Sequence, residues 1–247
     1  MSYSSFAFYY DGLTRNVPYE KLADYLLQVL SRHGHVPGLC LDLACGTGSL
    51  TVALAKRGID IYGVDGSMEM LSEAQQKAAD ENLQLLFLWQ KMQNIDLFGT
   101  VDTVFCTLDS LNHLVREKDV QDTFRRVSLF LNPGGYFVFD VNSVYKHRCV
   151  LGNNTFVYDT EQVYCVWQNV LEEKTARVSI NLDFFEKDGS VYRRSSEAFS
   201  ERAFAANDLS AWLREAGLET EAVYKAMTFD KPDDTTERLL FVAKKTE

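Results

Sequence analysis

The spacing of apolar positions alternates between helical and extended patterns from residue 19 to residue 141. Tyr19, Leu22 and Leu26 begin a run at intervals of three and four residues, which predicts a helix. Short apolar runs bounded by turn residues predict strands. Strands that alternate with helices indicate a parallel sheet with right-handed crossovers. The predicted strands are residues 39–43, 59–64, 83–89, 101–106 and 136–141, and the predicted helices are 19–33, 50 onward, 68–78 and 116–131.

The pattern changes to strict alternation from about residue 155 to residue 204. Val163, Cys165 and Trp167 fall on one face of a predicted strand, and a second alternating run follows. Asp188-Gly189 is expected at the centre of a hairpin turn. A helix and two further strands then complete the chain. We therefore predict an antiparallel insert at residues 151–204 within an α/β domain formed by residues 1–150 and 205–247.

One strand–turn–helix stretch carries the clearest chemical signal. An apolar run is followed by Gly46 and Gly48, and a helical pattern starts at Leu50. Glycine lets a ligand approach the main chain, and the helix start offers free N–H groups and a positive dipole end. Asp65 ends the next predicted strand nineteen positions after Gly46, where such folds place a carboxylate against ribose hydroxyls. The stretch predicts a nucleoside site.

Two residues bear on which nucleoside is bound. Thr51 stands where a dinucleotide fingerprint has its third glycine or alanine. Asp42 places negative charge beside the turn, which repels a pyrophosphate and attracts a ligand that carries an ammonium and a sulfonium. An NAD(P)-dependent oxidoreductase is therefore disfavoured, although it stays as an alternative.

Residues 41–48, Leu-Asp-Leu-Ala-Cys-Gly-Thr-Gly, resemble motif I of the class I S-adenosylmethionine (SAM) methyltransferases. The similarity continues through residues 63–71, 108–112 and 131–140 and covers most of the chain. It implies a Rossmann-like sheet, mostly parallel with an antiparallel last strand, and a bacterial small-molecule enzyme whose antiparallel insert is an acceptor-binding lid. It also implies SAM as cofactor and S-adenosyl-L-homocysteine as product. A protein that binds SAM without turning it over would carry the same motif.

The resemblance places the cofactor at the ends of the first four strands, beneath an N-terminal helical cover. It implies that the main chain after the first strand wraps the methionyl part and that Asp65 binds both ribose hydroxyls. Relatives often carry an acid that reads the adenine amino group, whereas Lys91 stands here and can only donate. The implied cofactor-binding residues are Tyr10, Tyr19, Asp42, Ala44, Cys45, Gly46, Thr47, Gly48, Asp65, Gly66, Ser67, Met70, Gln90, Lys91, Met92, Leu108 and Asp109.

Methyl transfer from a sulfonium is an in-line displacement, in which positioning of the reacting atoms supplies much of the acceleration. An amine acceptor must be neutral, and a hydroxyl acceptor benefits from a base. The sequence does not single out one catalytic residue, but Asp109, His113 and His147 are candidates, each with a structural role as its alternative. The residues expected to line the acceptor pocket are Tyr145, Tyr164, Trp167 and Arg202.

The composition and charge of the chain limit the kinds of molecule that it is expected to bind. The chain has 247 residues and a net charge of −10, which opposes binding to nucleic acid. No apolar stretch approaches the ~20 residues of a membrane span, and no secretory signal is evident. The five cysteines include no CxxC pair, which favours a reduced cytoplasmic compartment. We expect a small-molecule acceptor, no nucleic acid or membrane partner and no metal, with no indication of the oligomeric state.

Overall fold

The chain is built around two β-sheets, one of seven strands and one of four. The computed structural model describes residues 17–160 and 163–246. The strands are β1 Leu39–Leu43, β2 Asp60–Asp65, β3 Phe87–Trp89, β4 Val101–Cys106, β5 Leu131–Asn142, β6 Thr155–Asp159, β7 Val163–Glu172, β8 Arg177–Asp188, β9 Val191–Arg202, β10 Leu218–Lys225 and β11 Arg238–Lys245. The α-helices are α1 Tyr19–Arg32, α2 Ser49–Ala55, α3 Met68–Asp80, α4 Glu117–Phe130 and α5 Ala206–Glu215.

The larger sheet has the order β10-β11-β5-β4-β1-β2-β3, in which β1 to β5 are parallel and β11 is antiparallel to both neighbours. Helices cover both faces, so alternate residues of a strand enter two different cores. Phe139 and Phe241 stack at 4.9 Å on the face that packs against α4 and α5. Their neighbours Val138 and Leu240 point to α1 and α2. The predicted Rossmann-like fold with an antiparallel last strand is confirmed.

This strand order places several acidic residues at one edge of the sheet. Asp42 lies near the end of β1 and Asp65 ends β2, while Asp109 follows β4 and Asp140 lies near the end of β5. Because β1 pairs with β2 and β4, and β4 pairs with β5, these carboxyl ends are neighbours. Ligands of open parallel sheets bind beyond such ends.

Some predicted boundaries are wrong. β3 begins at Phe87 rather than residue 83, because the main chain from Leu83 first closes the end of α3 through a bond from its N–H to the Ala78 carbonyl. β5 begins at Leu131 rather than residue 136. Residues 132–135, which lie between the predicted helix and the predicted strand, form a bulge, because Val101 pairs with Leu131 and Thr103 pairs with Tyr136.

The insert is a four-stranded antiparallel sheet in the order β6-β7-β8-β9. The two alternating runs form β7 and β8, and the predicted hairpin leads into β9. This hairpin turns at Gly189-Ser190 rather than at Asp188-Gly189, because Asp188 still pairs with Val191. The Arg202 carbonyl at the end of β9 accepts a hydrogen bond from Asn112 Nδ2 at 3.0 Å, which ties the insert to the loop after β4. The described residues contain no helix long and apolar enough to cross a membrane.

Candidate active site

The turn after β1 leaves room for a ligand against its main chain. Ala44, Gly46 and Gly48 have φ angles of 59°, 55° and 71°, and such alternation turns backbone N–H groups toward one side. A Cβ added at Gly46 would meet no atom within 4 Å. A Cβ added at Gly48 would lie 2.8 Å from the Ala74 Cβ, so this glycine lets α2 pack closely on α3. Gly46 therefore faces open space, and Gly48 serves packing.

Asp42 is buried beneath this turn and is held by Thr51. The Thr51 Oγ1 donates a hydrogen bond of 2.6 Å to Asp42 Oδ2, and Asp42 keeps only 2% of its surface exposed. Burial raises the pKa of Asp42 to about 7, although the bond from Thr51 opposes the shift. The hydroxyl that replaces the third glycine of a dinucleotide fingerprint thus orients the carboxyl group. A cation above the turn would favour the ionised form of Asp42.

Asp65 connects the turn after β1 to the start of α3. Its Oδ2 accepts a hydrogen bond of 2.9 Å from the Gly46 N–H, and its Oδ1 accepts one of 2.8 Å from the Ser67 N–H. Burial raises the pKa of Asp65, against the effect of these backbone bonds. Ser67 in turn caps α3, since its Oγ accepts from the Met70 N–H at 3.2 Å.

A cavity over the turn collects residues from α1, from the turn and from the loop after β4. Its lining consists of Tyr19, Asp42, Ala44, Cys45, Gly46, Thr47, Ser49, Leu50, Thr107, Leu108 and Ser110. Most of the predicted methionyl-side residues therefore share one space. Burial holds the pKa of the Cys45 thiol well above its usual range, which suits a packing residue. Tyr10 lies outside the described residues.

On the expected adenine side, Gln90 is tied to the loop that follows β3. The Gln90 Nε2 donates to the Asp96 carbonyl at 2.9 Å, and the Gln90 Oε1 accepts from the Asp96 N–H at 2.7 Å. Each end of this amide thus makes one bond to a loop, while a second N–H and a second lone pair remain, and the role of Gln90 in reading adenine stays a prediction. Lys91 lies beside Gly66, Met70 is buried in α3, and Met92 packs against the core.

The loop after β4 is held by groups at the ends of β5 and β11. Asp109 accepts hydrogen bonds from Arg238 Nη2 at 2.6 Å and from Asn142 Nδ2 at 2.9 Å. Asp140 accepts from the N–H groups of Leu108 and Asp109, both of which have left-handed backbones. Burial would raise the pKa of Asp109, but the charges of Arg238 and Lys146 outweigh it and lower the pKa. Asp109 is therefore an anchor of this loop and a weak base.

His113 and His147 approach the same carboxyl group from different elements. The His113 Nε2 lies 3.7 Å from Glu201 Oε1, and the His147 Nε2 lies 3.8 Å from Glu201 Oε2. Burial lowers the pKa of both imidazoles, which are neutral at pH 7. Burial raises the pKa of Glu201 to about 8, and the charge of Asp109 adds to the shift. His147 is fully buried, so it does not face a ligand directly.

Comparisons with known proteins show the family of this chain. Residues 40–135 match the family described as "Methyltransferase domain". The candidate methyltransferase YqeM of Bacillus subtilis (strain 168) is 35% identical over 100% of this chain and 98% of its own length. The crystal structure of a SAM-dependent methyltransferase from Clostridium acetobutylicum ATCC 824 is 36% identical, with a TM-score of 0.88 over 98% of each chain. The chain belongs to the class I SAM-dependent methyltransferase family.

A further structure shares the fold of this methyltransferase. The sugar N-methyltransferase KedS8 from Streptoalloteichus sp ATCC 53650 aligns with a TM-score of 0.78 over 96% of this chain and 93% of its own. Its sequence identity is 23%, so the likeness shows the fold alone. Within the part of the methyltransferase that the structure describes, no cluster of His, Cys, Asp or Glu is arranged to hold a metal ion.

The residues predicted to line the acceptor pocket are dispersed in the methyltransferase. Tyr164 lies beside a different cavity at the outer end of the insert. It aligns through Phe185 with Arg194, eight residues before Arg202 on β9, a distance of about 26 Å at ~3.3 Å per residue. One small acceptor cannot contact both ends. Trp167 donates from Nε1 to Asn169 Oδ1 at 2.5 Å within the insert, Arg202 binds Glu117 at 2.8 Å, and Tyr145 precedes the π-helical turn Lys146–Leu151.

Some functional candidates were missed in the sequence. Asp140 lies near a strand end, as Asp42 does, so the same rule would have selected it. Glu201 and Arg238 carry no such signal, because their partners lie far away along the chain: Arg238 and Asp109 are 129 positions apart.

Proposed function

We propose that this methyltransferase binds SAM in the cavity over the turn after β1 and uses its methyl group to modify a nitrogen or oxygen atom of a small molecule. The observation that carries the proposal is the open space over Gly46, where a Cβ would meet no atom within 4 Å. Buried Asp42 lies under this space, and Asp65 lies beside it. This combination suits a ligand with a cationic end and a ribose.

In this proposal, different residues of the site bind different parts of SAM. The main chain of Ala44 to Gly48 and the carboxylate of Asp42 hold the methionyl end, and Asp65 accepts bonds from the ribose. Tyr19 closes the cavity from α1. SAM supplies an electrophilic methyl group when bound, so the protein has to orient the acceptor and remove its proton.

An amine is the acceptor that we propose, with His113 as its base. An amine attacks only as the neutral base, and it enters the site mostly as an ammonium at pH 7. Burial keeps His113 neutral at pH 7, and its Nδ1, which is itself buried, has no hydrogen-bond partner among the described residues, so one ring nitrogen is unused. Asp109 is less suited because the charges of Arg238 and Lys146 lower its pKa and make it a weak base. KedS8, which shares the fold, is a sugar N-methyltransferase.

Calorimetry followed by a transfer assay tests this function. We expect SAM and S-adenosyl-L-homocysteine to bind, and NADH to give no heat of binding. Methyl-labelled SAM should then label amines in a panel of small amines and alcohols. If the purified protein does not bind SAM, the cofactor proposal is wrong. If the label enters alcohols alone, the proposed amine acceptor is wrong.

The affinity for SAM should rise with pH because of Asp42. The raised pKa of about 7 means that Asp42 is mostly protonated below this value, whereas a cationic ligand favours the carboxylate. We expect about tenfold tighter binding at about pH 7.5 than at about pH 5.5. Without ligand the sign is opposite, since the contribution of a raised pKa to folding stability is lost as the pH rises through it.

Titration calorimetry at several pH values measures this effect. Asp42→Asn should bind SAM weakly and flatten the pH dependence, while Asp60→Asn, at the exposed start of β2, should behave as the unmodified protein. If the affinity for SAM changes equally with pH in the two variants, Asp42 does not face the bound cation.

A further inference from the structure

A buried carboxyl group from the insert lies between two imidazoles of the main domain. Glu201 of β9 has one oxygen 3.7 Å from the His113 Nε2 and the other 3.8 Å from the His147 Nε2. These separations exceed a direct hydrogen bond, so the three groups are close but not locked together. Among the described residues, the His113 Nδ1 and the His147 Nε2 are buried without a hydrogen-bond partner. The insert, the loop after β4 and the π-helical turn Lys146–Leu151 thus meet at three proton-binding groups.

When Glu201 is ionised, the cluster around it carries one more negative charge than positive charges. Arg238 donates to Asp109 and Asp140 at 2.6 Å each, and Lys146 is the other cation of the cluster. These two cations are matched by the two aspartates, so neutrality requires one proton on Glu201 or on an imidazole beside it. The groups that face Glu201 are Asp109 and His113 from the loop after β4, Asn142 from β5, Lys146 and His147 from the π-helical turn, and Arg238 from β11.

His113 is the most exposed member of this trio, although its Nδ1 is itself buried. Its side chain keeps 28% of its surface exposed, against 6% for Glu201 and 0% for His147. In the 3-10 turn Ser110–His113, residues three apart share a face, which places His113 on the side of Ser110. Ser110 lines the cavity over the turn after β1. An acceptor in this region would meet His113 first, with Glu201 behind it.

We infer that Glu201 is a positioning residue that acts through His113, and that the two histidines and Glu201 share one proton as a unit. This inference rests on the proposed function, because it gives the proton of an amine acceptor a destination. The N–H bond of the ammonium breaks, its electron pair stays on nitrogen, and the proton binds His113. This step uses the form of the trio in which Glu201 is ionised. The His113 ring and the Glu201 carboxylate close from 3.7 Å to hydrogen-bond distance, the proton passes to the carboxylate, and it returns to water after the product leaves. The insert thus completes the acid–base group of the acceptor site.

Histidine ring NMR on the ligand-free protein tests the shared proton without any acceptor. The chain has four histidines, and His113→Gln and His147→Gln assign the two relevant rings. In the unmodified protein we expect both rings to shift with one common midpoint near pH 8, where Glu201 ionises. Glu201→Gln should remove this step from both rings. Glu186→Gln, an exposed carboxyl on the same insert, should retain it.

A second measurement separates this inference from the function itself. Glu201→Gln should bind SAM with unchanged affinity, within about twofold by calorimetry. If the unmodified protein does not bind SAM, the proposed function fails while the NMR result still decides the shared proton. Unchanged ring titrations in Glu201→Gln, or unrelated midpoints for the two rings, would overturn the inference.

Should Glu201→Gln not fold, His113→Gln provides the test. The His147 ring should then keep a step whose midpoint has moved, since the shared proton has lost one of its sites. An unmoved midpoint would also overturn the inference.

Discussion

Gly46→Ala should lower the affinity for SAM about a hundredfold, or ~2.7 kcal/mol of binding free energy. The new methyl group would occupy the open space over the turn after β1, where it meets no protein atom within 4 Å. The folded protein therefore tolerates the atom, and only a ligand that fills the same space collides with it. A φ of 55° adds backbone strain of ~1–2 kcal/mol, which lowers the stability of the fold. Calorimetry with SAM and thermal unfolding without it measure the two effects separately.

Gly58→Ala is the matched control for this prediction. Gly58 also has a positive φ, 78°, and a Cβ there also meets no atom within 4 Å, but it follows α2 and does not line the cavity. The two variants should lose similar stability, whereas Gly58→Ala should retain its affinity for SAM. If both variants bind SAM equally well, the ligand does not lie over Gly46.

The parts of the site that the sequence predicted follow local rules. The turn around Gly46 lies between a strand and a helix that have short, regular patterns of their own. Asp65 was placed correctly at the end of β2 because a strand end is visible in the apolar pattern. The order of the strands needed the family resemblance, since alternation of strands and helices alone fits several parallel sheets.

The acceptor side was beyond prediction because its contacts join distant parts of the chain. His113 and Glu201 are brought together only when the insert sheet returns to the loop after β4, and the face on which Glu201 lies depends on the register of four strands. Gln90 shows that a contact between residues close in the sequence can also be unpredictable. Its amide is used by Asp96, six positions away, and no sequence rule reveals the shape of that loop. Burial and pairing decide which polar side chains remain free for a ligand.

Asp65→Ala should weaken SAM binding by about a hundredfold, at the upper end of the ~1.5–3 kcal/mol of a charge-assisted hydrogen bond. A loss at the upper end of this range is expected because Asp65 makes two kinds of interaction. It is placed to accept from the ribose, and it already binds the N–H groups of Gly46 and Ser67 at 2.9 and 2.8 Å. Alanine removes both, so the turn that wraps the methionyl end and the start of α3 lose their common anchor.

Two further variants separate these interactions. Asp65→Asn keeps one acceptor oxygen and the size of the side chain, so it should bind SAM with an affinity between those of Asp65→Ala and the unmodified protein. Asp60→Ala removes an exposed carboxyl from the other end of β2 and should leave binding unchanged. Titration of all three variants with SAM measures the order of their affinities. An unchanged affinity in Asp65→Ala would remove Asp65 from the cofactor site, because a carboxylate that bound the ribose could not be lost without cost.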